Sequence, residues 1–472
     1  MMYNEGTIIA LSSAPGSGAI AIIRLSGEDA ISKTDLFFKS KSGKRLSKSS
    51  GYSISYGDLV DNDEIIDEVV VSVYKAPHSY TGENIIEISC HGSVYIQQRI
   101  LTLFTDAGVR LASPGEFTLR AYLNNKKDLS QAEAVGDLIA SESKEEHRVA
   151  MEQMRGGYSD EIEVLREKLI HFKSLIELEL DFSEEDVEFA DRSDLKTLLN
   201  ELEGKLSSLI DSFTYGNVIK EGVTVTIAGK PNAGKSSLLN AIVNEDKAIV
   251  SNIPGTTRDT IEDVTNINGV KYRFIDTAGI RETSDEIESI GVARAKSKID
   301  SSRILIYLFD RSDITENELI KEVKSYLRED LQVYLVENKI DLLNNSNTDT
   351  YKDNIKSLIN ENSVSFYRIS ALDSDLVSGL KELISKNLKL SSQSNIIITN
   401  SRHLEALNNS LKAIESVNKG LKEGLSGDLL SIDLNEAIIN ISIITGKIDI
   451  CLLYTSDAAD EGLGVDLGGR RI

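Results

Sequence analysis

Eight consecutive residues constrain this chain more than any others: Gly229-Lys230-Pro231-Asn232-Ala233-Gly234-Lys235-Ser236. They fit G-x-x-x-x-G-K-[ST], the phosphate-binding loop. Glycines there let the backbone close on phosphate, and successive N–H groups point inward as an anion nest. Such a loop works only between a strand and a helix. Val223 to Ala228 is an apolar, β-branched run that predicts a buried strand, and Ser236 to Val243 predicts the start of a helix. Lys235 would reach the β- and γ-phosphates and the Ser236 hydroxyl would bind Mg²⁺, with Asn232, Ala233, Gly234 and Ser237 lining the nucleotide. The bland alternative is a glycine turn with no ligand, and the downstream sequence decides against it.

Asp276-Thr277-Ala278-Gly279 follows the apolar run Tyr272 to Ile275, the form of a Walker B aspartate at a strand end, with Gly279 free to contact the γ-phosphate. Asn338-Lys339-Ile340-Asp341 follows the strand-like Val333 to Glu337. In this N-x-x-D arrangement Asp341 accepts from the N1–H and exocyclic amine of guanine, a donor pair adenine does not offer. Ser370-Ala371 would complete the base pocket. Ser251-Asn252-Ile253-Pro254-Gly255-Thr256-Thr257 forms the switch segment, and Thr257 is the expected second Mg²⁺ hydroxyl. Four motifs in this order predict a GTPase that binds GTP and GDP. Two departures from the Ras plan matter. Ile280 stands where a glutamine would orient water, which leaves Arg281, Glu282, Asp285, Glu286 and Glu288 as candidates. Asn232, beside the switch segment, can give an oxygen to a monovalent cation that takes the part of an arginine finger.

At 472 residues the chain has room for about three domains. Residues 1–122 read as α/β, with strands at Thr7 to Leu11, Ala19 to Leu25, Glu68 to Tyr74 and Asn84 to Ser89, a helix from Val94 to Ala107, and Pro114 at a helix start. Residues 123–221 read as helical. Ile162, Leu165, Leu169, Phe172 and Ile176 make one apolar stripe, Gly156 and Gly157 break it from the preceding helix, and Leu195 to Ile210 forms another. Residues 222–388 alternate strand and helix as a parallel sheet requires, and residues 389–450 return to helical periodicity. The fold class is therefore multidomain α/β plus all-α, a helical domain interrupted by an inserted Ras-like P-loop domain. A formal charge of −23, from 52 basic and 75 acidic side chains, argues against coating nucleic acid non-specifically but leaves room for a local basic site. Two cysteines, Cys90 and Cys451, make neither a disulfide framework nor a zinc set and suit a reducing cytoplasm. There is no signal peptide pattern and no apolar run of membrane-spanning length.

Several stretches carry a family resemblance: Ile22-Ile23-Arg24-Leu25-Ser26-Gly27, Pro77-His78-Ser79-Tyr80-Thr81-Gly82-Glu83, Ser113-Pro114-Gly115-Glu116-Phe117-Thr118 and Leu129-Ser130-Gln131-Ala132-Glu133-Ala134. With the nucleotide motifs, they make residues 1–448 similar to the MnmE (TrmE) family of tRNA wobble-uridine modification GTPases. The resemblance implies a tetrahydrofolate-binding and dimerising domain at 1–122, a helical domain at 123–221 and 389–450, and a G domain at 222–388. It implies K⁺-activated hydrolysis of GTP and a heterotetramer of a homodimer with the FAD-dependent partner MnmG. The pair would install an aminomethyl or carboxymethylaminomethyl group on tRNA, using a one-carbon unit from 5-formyl- or methylene-tetrahydrofolate. Folate contacts carry over to Arg24, Glu87 and Lys126. Without the resemblance Glu87 is an ordinary strand residue and Lys126 a surface lysine. The K⁺ ligands carry over to Asn232, Ser251, Ile253 through its carbonyl, and Thr256; the water-positioning glutamate carries over to Glu288.

A ribosome-assembly GTPase of the Era or Der type is a second reading, but it would bring a second G domain or a basic C-terminal RNA module. A non-catalytic folate-binding scaffold is a third, opposed by the complete set of guanine motifs. After Lys447 the chain departs from the family, which ends in a Cys-x-Gly-Lys motif. The run from Cys451 resembles a sequencing adapter read in frame, so 451–472 reads as a non-native tail, and the chain as written is expected to fail in tRNA modification.

Overall fold

The computed structural model describes residues 6–181, 192–247, 262–276, 297–328, 330–342, 364–387 and 397–447. They group into two compact units. One draws on 1–139, 153–163 and 442–472, the other on 140–152 and 164–441.

The first unit is built on seven strands: β1 (Ile8–Leu11), β2 (Ile20–Ser26), β3 (Phe38–Ser40), β4 (Ser53–Asp61), β5 (Glu64–Tyr74), β6 (Ile85–His91) and β7 (Arg110–Leu111). Their order is β3-β4-β5-β6-β2-β1-β7. Every pair is antiparallel except β1 with β7. Alternation of period two sends Val69, Val71 and Val73 of β5 and Ile86, Ile88 and Cys90 of β6 to one face. Helices α1 (Ala30–Phe37) and α2 (Val94–Asp106) supply Ala30, Ile31, Ile100, Leu103 and Phe104 to the same core. On the other face Ile54, Tyr56 and Val70 remain exposed. The four expected strands are all present. The serine- and lysine-rich stretch before Ser53 hid α1, β3 and β4 from the sequence reading.

Helix α3 (Glu116–Leu123) does not begin at Pro114. Gly115, at φ +76, is its N-cap, and Pro114 sits within the turn that Glu116 N closes by donating to the Ser113 carbonyl at 3.0 Å. The helix carries Arg120, 1% exposed, into a polar knot. Its guanidinium donates to Glu83 at 2.9 Å, Glu116 at 3.1 Å and the Gly6 carbonyl at 2.8 Å. Arg110 donates to Glu116 from the other side. After α4 (Leu129–Ala140), the same unit holds Tyr122 Oη donating to the Gly446 carbonyl at 2.9 Å.

Helix α5 (Lys144–Met154) belongs to the second unit up to Glu152, α6 (Ser159–Asp181) from Val164 onward, and α7 (Arg192–Glu221) throughout. Gly156 at φ +107 and Gly157 at φ +32 separate α5 from α6, as expected. The α6 stripe holds, with Leu165, Leu169 and Ile176 buried. A six-stranded sheet follows: β8 (Val223–Ala228), β9 (Glu262–Ile267), β10 (Val270–Asp276), β11 (Ile304–Phe309), β12 (Gln332–Glu337) and β13 (Val364–Arg368), in the order β13-β12-β11-β8-β10-β9. It is parallel except at β9, which pairs antiparallel with β10. The parallel sheet expected from the alternating strands and helices is present, with β9 added antiparallel at its edge. Asn268 and Gly269, at φ +52 and +84, form the two-residue primed turn that joins an antiparallel hairpin.

All six residues of β11 are buried, as a central strand covered on both faces requires. Helix α8 (Lys235–Lys247) and α10 (Ser374–Asn387) cover one face and α9 (Glu316–Lys324) the other. Helix α11 (Ser401–Glu423) and α12 (Gly427–Thr445) up to Ile441 complete the unit, α11 packing along α7. Where the chain returns from the sheet, Ile398 N donates to Ser212 Oγ of α7 at 3.1 Å. Only glycine fits at 216, because a Cβ there would lie 1.9 Å from the Ile398 carbonyl oxygen.

The Arg110 guanidinium, with help from the Ser113 N–H and Arg120, outweighs burial and holds the Glu116 carboxyl down at about 2. A carboxyl depressed on folding adds stability that is complete above its unfolded value near 4.5 and is lost as pH falls through the folded one. Urea unfolding followed by circular dichroism should show the first unit weakening by on the order of 2–3 kcal/mol between about pH 4.5 and pH 2. Glu116→Gln should be less stable at pH 7 and should flatten that decline; an unchanged acid limb in the variant would remove Glu116 from the account.

Candidate nucleotide and folate sites

The phosphate loop lies at the carboxyl end of β8, where parallel α/β sheets place ligands. Two glycines allow its shape. A Cβ at Gly229, φ +144, would lie 1.9 Å from the Leu308 carbonyl oxygen; one at Gly234, φ +97, would lie 2.3 Å from Asn338 Nδ2. Lys235, at the start of α8, donates from Nζ to the carbonyls of Gly229 and Lys230, both at 2.8 Å, so its ammonium stands inside the loop. Asn232 is exposed at φ +61, Ala233 is buried, and Ser236 and Ser237 are exposed on the first turn of α8. Asp276 closes β10 in register with Ile227 of β8, at the same end of the sheet.

The residues expected to recognise the base follow β12 and β13. Asn338 is 3% exposed, and its carboxamide is a bridge. Nδ2 donates to the Ala233 carbonyl at 2.8 Å, and Oδ1 accepts from Ala371 N at 3.0 Å. The asparagine therefore fixes the phosphate loop to the Ser370-Ala371 loop. Lys339, at φ +62, pairs with Asp310 at 2.9 Å, and that hydrogen bond raises its ammonium above the ordinary lysine value. Burial works against the charge on Asp310, but hydrogen bonds from Ser312 and Lys339 outweigh it and hold the carboxyl low. Asp341 sits exposed on a 3₁₀ turn, Ile340–Leu342, open to a ligand.

Sequence reasoning missed three members of this frame. Asp310, at the end of β11, orients Lys339. Glu337, 2% exposed, takes Arg368 Nε at 2.9 Å across β12 and β13, one residue before Asn338 and two before Ser370. No local pattern marks these partners, although an acid inside an otherwise apolar strand was a visible anomaly. Ser251, Asn252, Ile253, Pro254, Gly255, Thr256, Thr257, Thr277, Ala278, Gly279, Glu288 and the other water-orienting candidates from 280 to 286 lie outside the described residues, as does the tail 451–472. Among the described residues there is no group of three or more His, Cys, Asp or Glu that could hold a metal ion.

In the first unit the structure joins two of the three expected folate residues. Arg24 and Glu87 face each other across β2 and β6 in direct register, and Arg24 Nη2 donates to Glu87 Oε1 at 2.6 Å. Both side chains keep about a quarter of their surface in solvent, 26% and 23%. The Arg24 guanidinium lies 5.5 Å from the ring centroids of both Tyr80 and Phe117. Tyr80 is held by its hydroxyl against Thr118 Oγ1 at 2.9 Å. Lys126 is exposed and packs its stem beside Gly82, in the loop that carries Tyr80, without direct contact to the Arg24–Glu87 pair in any described interaction. Tyr80 and Phe117 are further residues that the sequence reading did not place.

Comparison with known proteins agrees over nearly the whole chain. A family model described as the GTP-binding protein TrmE N-terminus matches residues 7–126, and one described as the MnmE helical domain matches residues 129–451. The tRNA modification GTPase MnmE of Flavobacterium johnsoniae is 49% identical over 453 residues, covering 95% of this chain and 96% of its own. That of Bacteroides fragilis is 50% identical over 452 residues, covering 94% and 96%. A crystal structure of Aquifex aeolicus Era covers 40% of this chain and 66% of its own at 28% identity, with a TM-score of 0.26, too low to carry an argument. The chain belongs to the MnmE family of tRNA modification GTPases.

Proposed function

We propose that this chain hydrolyses GTP to GDP and phosphate under K⁺ activation and that its residues 1–448 serve, with MnmG and its FAD, the modification of the wobble uridine of tRNA at C5, a reaction that the written tail 451–472 is not expected to support. The observation that carries the nucleotide half is the Asn338 bridge, which sets the phosphate loop and the base-recognition loops at one fixed separation. A guanine nucleotide is what such a frame measures. Lys235 would meet the β- and γ-phosphates, Asp341 the guanine N1–H and amine, and Ser370-Ala371 the base edge. The hydroxyls of Ser236 and Thr257 would hold Mg²⁺, with Asp276 behind them. Mg²⁺, when bound, neutralises charge between the β- and γ-phosphates.

Potassium fits the residues present. Asn232 stands exposed at a left-handed position on the loop's outer rim, free to turn its oxygen toward a cation. Ser251, the Ile253 carbonyl and Thr256 would complete the set. Glu288 is the proposed water-positioning carboxylate, acting in place of the glutamine that Ile280 replaces. The second reading, a ribosome-assembly GTPase, has no observation in its favour.

The folate reading rests on the half-exposed Arg24–Glu87 pair flanked by two aromatic rings. A pterin edge carries donors that a carboxylate can accept, the rings offer a flat apolar wall, and Lys126 at the rim suits the anionic glutamate tail. The one-carbon unit would come from 5-formyl- or methylene-tetrahydrofolate. Homodimerisation through 1–122 is supported by Ile54, Tyr56 and Val70, exposed together on the outer face of that sheet; light scattering at micromolar concentration with GDP separates dimer from monomer. Among the described residues no helix is long and apolar enough to cross a membrane. A cytoplasmic location fits the buried free Cys90.

Turnover should be much faster in KCl than in NaCl, where a finger-like cation is worth roughly 10³–10⁵ in rate. Asn232→Ala should lose the K⁺ stimulation while still binding GTP. Equal rates in the two salts for the unaltered protein would end the cation reading. Glu288→Ala should slow turnover with little change in GTP affinity, since the lost contact acts in the transition state; normal turnover would return Glu288 to a surface carboxylate. For folate, Arg24→Ala should weaken 5-formyl-tetrahydrofolate binding about 10–100-fold in equilibrium dialysis, the worth of one charge-assisted hydrogen bond. GTP turnover should stay unchanged in that variant, and undiminished folate binding would refute the assignment.

A further inference from the structure

The edge of the N-terminal sheet carries a charge opposite to that of the rest of the chain. Five of the ten residues from 39 to 48 are basic: Lys39, Lys41, Lys44, Arg45 and Lys48. No Asp or Glu occurs between Asp35 and Asp58, in a chain whose formal charge is −23. Lys41 is neutralised by Asp58 at 2.7 Å and Glu68 at 3.3 Å. Lys39, Lys44, Arg45 and Lys48 are exposed and make no ion pair among the described residues.

Like charges this dense repel one another, and a loose loop would spread them. Here the loop is pinned. Leu46 is fully buried in the sheet's core, between the exposed Arg45 and Ser47. The Asp35 carboxylate accepts from Leu46 N at 2.7 Å and Ser47 N at 3.0 Å, so the nearest acid is engaged with backbone rather than with a neighbouring cation. The result is a single 3₁₀ turn, Leu46–Lys48, with its cations held outward. Just beyond it the chain turns at Tyr52, φ +58 and 70% exposed, whose N–H donates to the Val73 carbonyl at 2.9 Å and whose ring meets Tyr74 edge-on at 5.7 Å. Lys75 lies beside Gly51 and adds a further cation. Ser40, Ser42, Ser47, Ser49 and Ser50 intersperse hydroxyl donors.

We propose that this platform is an RNA-binding surface, which takes the phosphate backbone of the tRNA on Lys44, Arg45 and Lys48 and stacks an unpaired base on Tyr52. Cations and hydroxyls fixed on one small surface match phosphate oxygens and 2′-hydroxyls, and an exposed aromatic face matches a splayed base. The acidic remainder of the chain repels a polyanion, so one basic platform also sets the orientation in which RNA can approach. The inference rests on the reading that tRNA is the substrate, and it adds where this chain touches it.

Binding of fluorescein-labelled tRNA to the full-length chain, measured by anisotropy from 50 to 200 mM KCl, tests the proposal. Replacing Lys44, Arg45 and Lys48 together by Ala should weaken binding about 10–100-fold and lower the slope of log K against log [salt] by about two. Tyr52→Ser should weaken binding about fivefold or more with the slope unchanged, because stacking releases no counterions. GTP turnover in KCl should be the same in all three proteins, which reports that they are folded. Lys386→Ala, on an exposed lysine of α10, should change neither quantity. If the unaltered chain binds tRNA and the triple variant binds it with equal affinity and slope, the platform is overturned while the tRNA reading stands. If the unaltered chain does not bind tRNA, both fall. Loss of binding to phosphatidylserine vesicles in the triple variant, with tRNA affinity intact, would assign the surface to lipid and overturn the proposal.

Discussion

One carboxamide governs the nucleotide half of this molecule. Asn338 spends its donor on Ala233 and its acceptor on Ala371, while its own backbone N–H donates to the Phe309 carbonyl at 2.8 Å. Three loops from three strands thereby share one side chain at 3% exposure. Both of the groups it engages are backbone groups, and the Ala233 carbonyl, on a residue 2% exposed, would otherwise be unpaired in the interior, a loss of roughly 1–3 kcal/mol. Gly234 follows from this bridge, since any side chain at that position would occupy the space of Nδ2. Much of what looks like a list of conserved-type motif letters is therefore one mutual packing solution.

The motifs themselves were legible because each is contiguous. Gly229 to Ser236 and Asn338 to Asp341 announce their chemistry in a few residues, and the strands that carry them are apolar runs of ordinary length. What the sequence concealed lies across long separations. Asp310 orients Lys339, Glu337 ties to Arg368, and Tyr80 from a loop and Phe117 from α3 flank Arg24. None of these pairs has a local period to betray it. The stretch around β3 and β4 was missed for another reason: serines and lysines on exposed positions blur the alternation that marks a strand. The antiparallel β9 was readable in principle from Asn268-Gly269, which is a hairpin signal rather than a loop between parallel strands.

Charge is distributed unevenly in a way that composition conceals. A net of −23 describes the average surface, yet the first unit holds its acids in private partnerships: Glu116 and Glu83 with Arg120, Asp58 with Lys41, Asp35 with backbone. Acids so engaged no longer offset nearby cations. The local field at an edge strand can then be positive within a strongly acidic protein, which is how polyelectrolyte recognition and general solubility coexist in one chain.

The glycine at 216 has a consequence for how the G-domain sheet is mounted. Ile398, which follows α10 after the last strand of that sheet, is pressed against α7 at Gly216, and the chain enters the sheet at Val223, after α7 ends at Glu221. Five residues of helix separate Gly216 from Glu221, roughly 8 Å of rise. Entry and exit thus lie close together on α7. The sheet is held a second time at its β9–β10 hairpin, where Asn266 Nδ2 donates to the Glu142 carbonyl at 2.8 Å and Lys271 pairs with the Glu142 carboxylate at 2.7 Å. A twist of the inserted body therefore has two routes into the carrying helices, one through the joint on α7 and one through the hairpin.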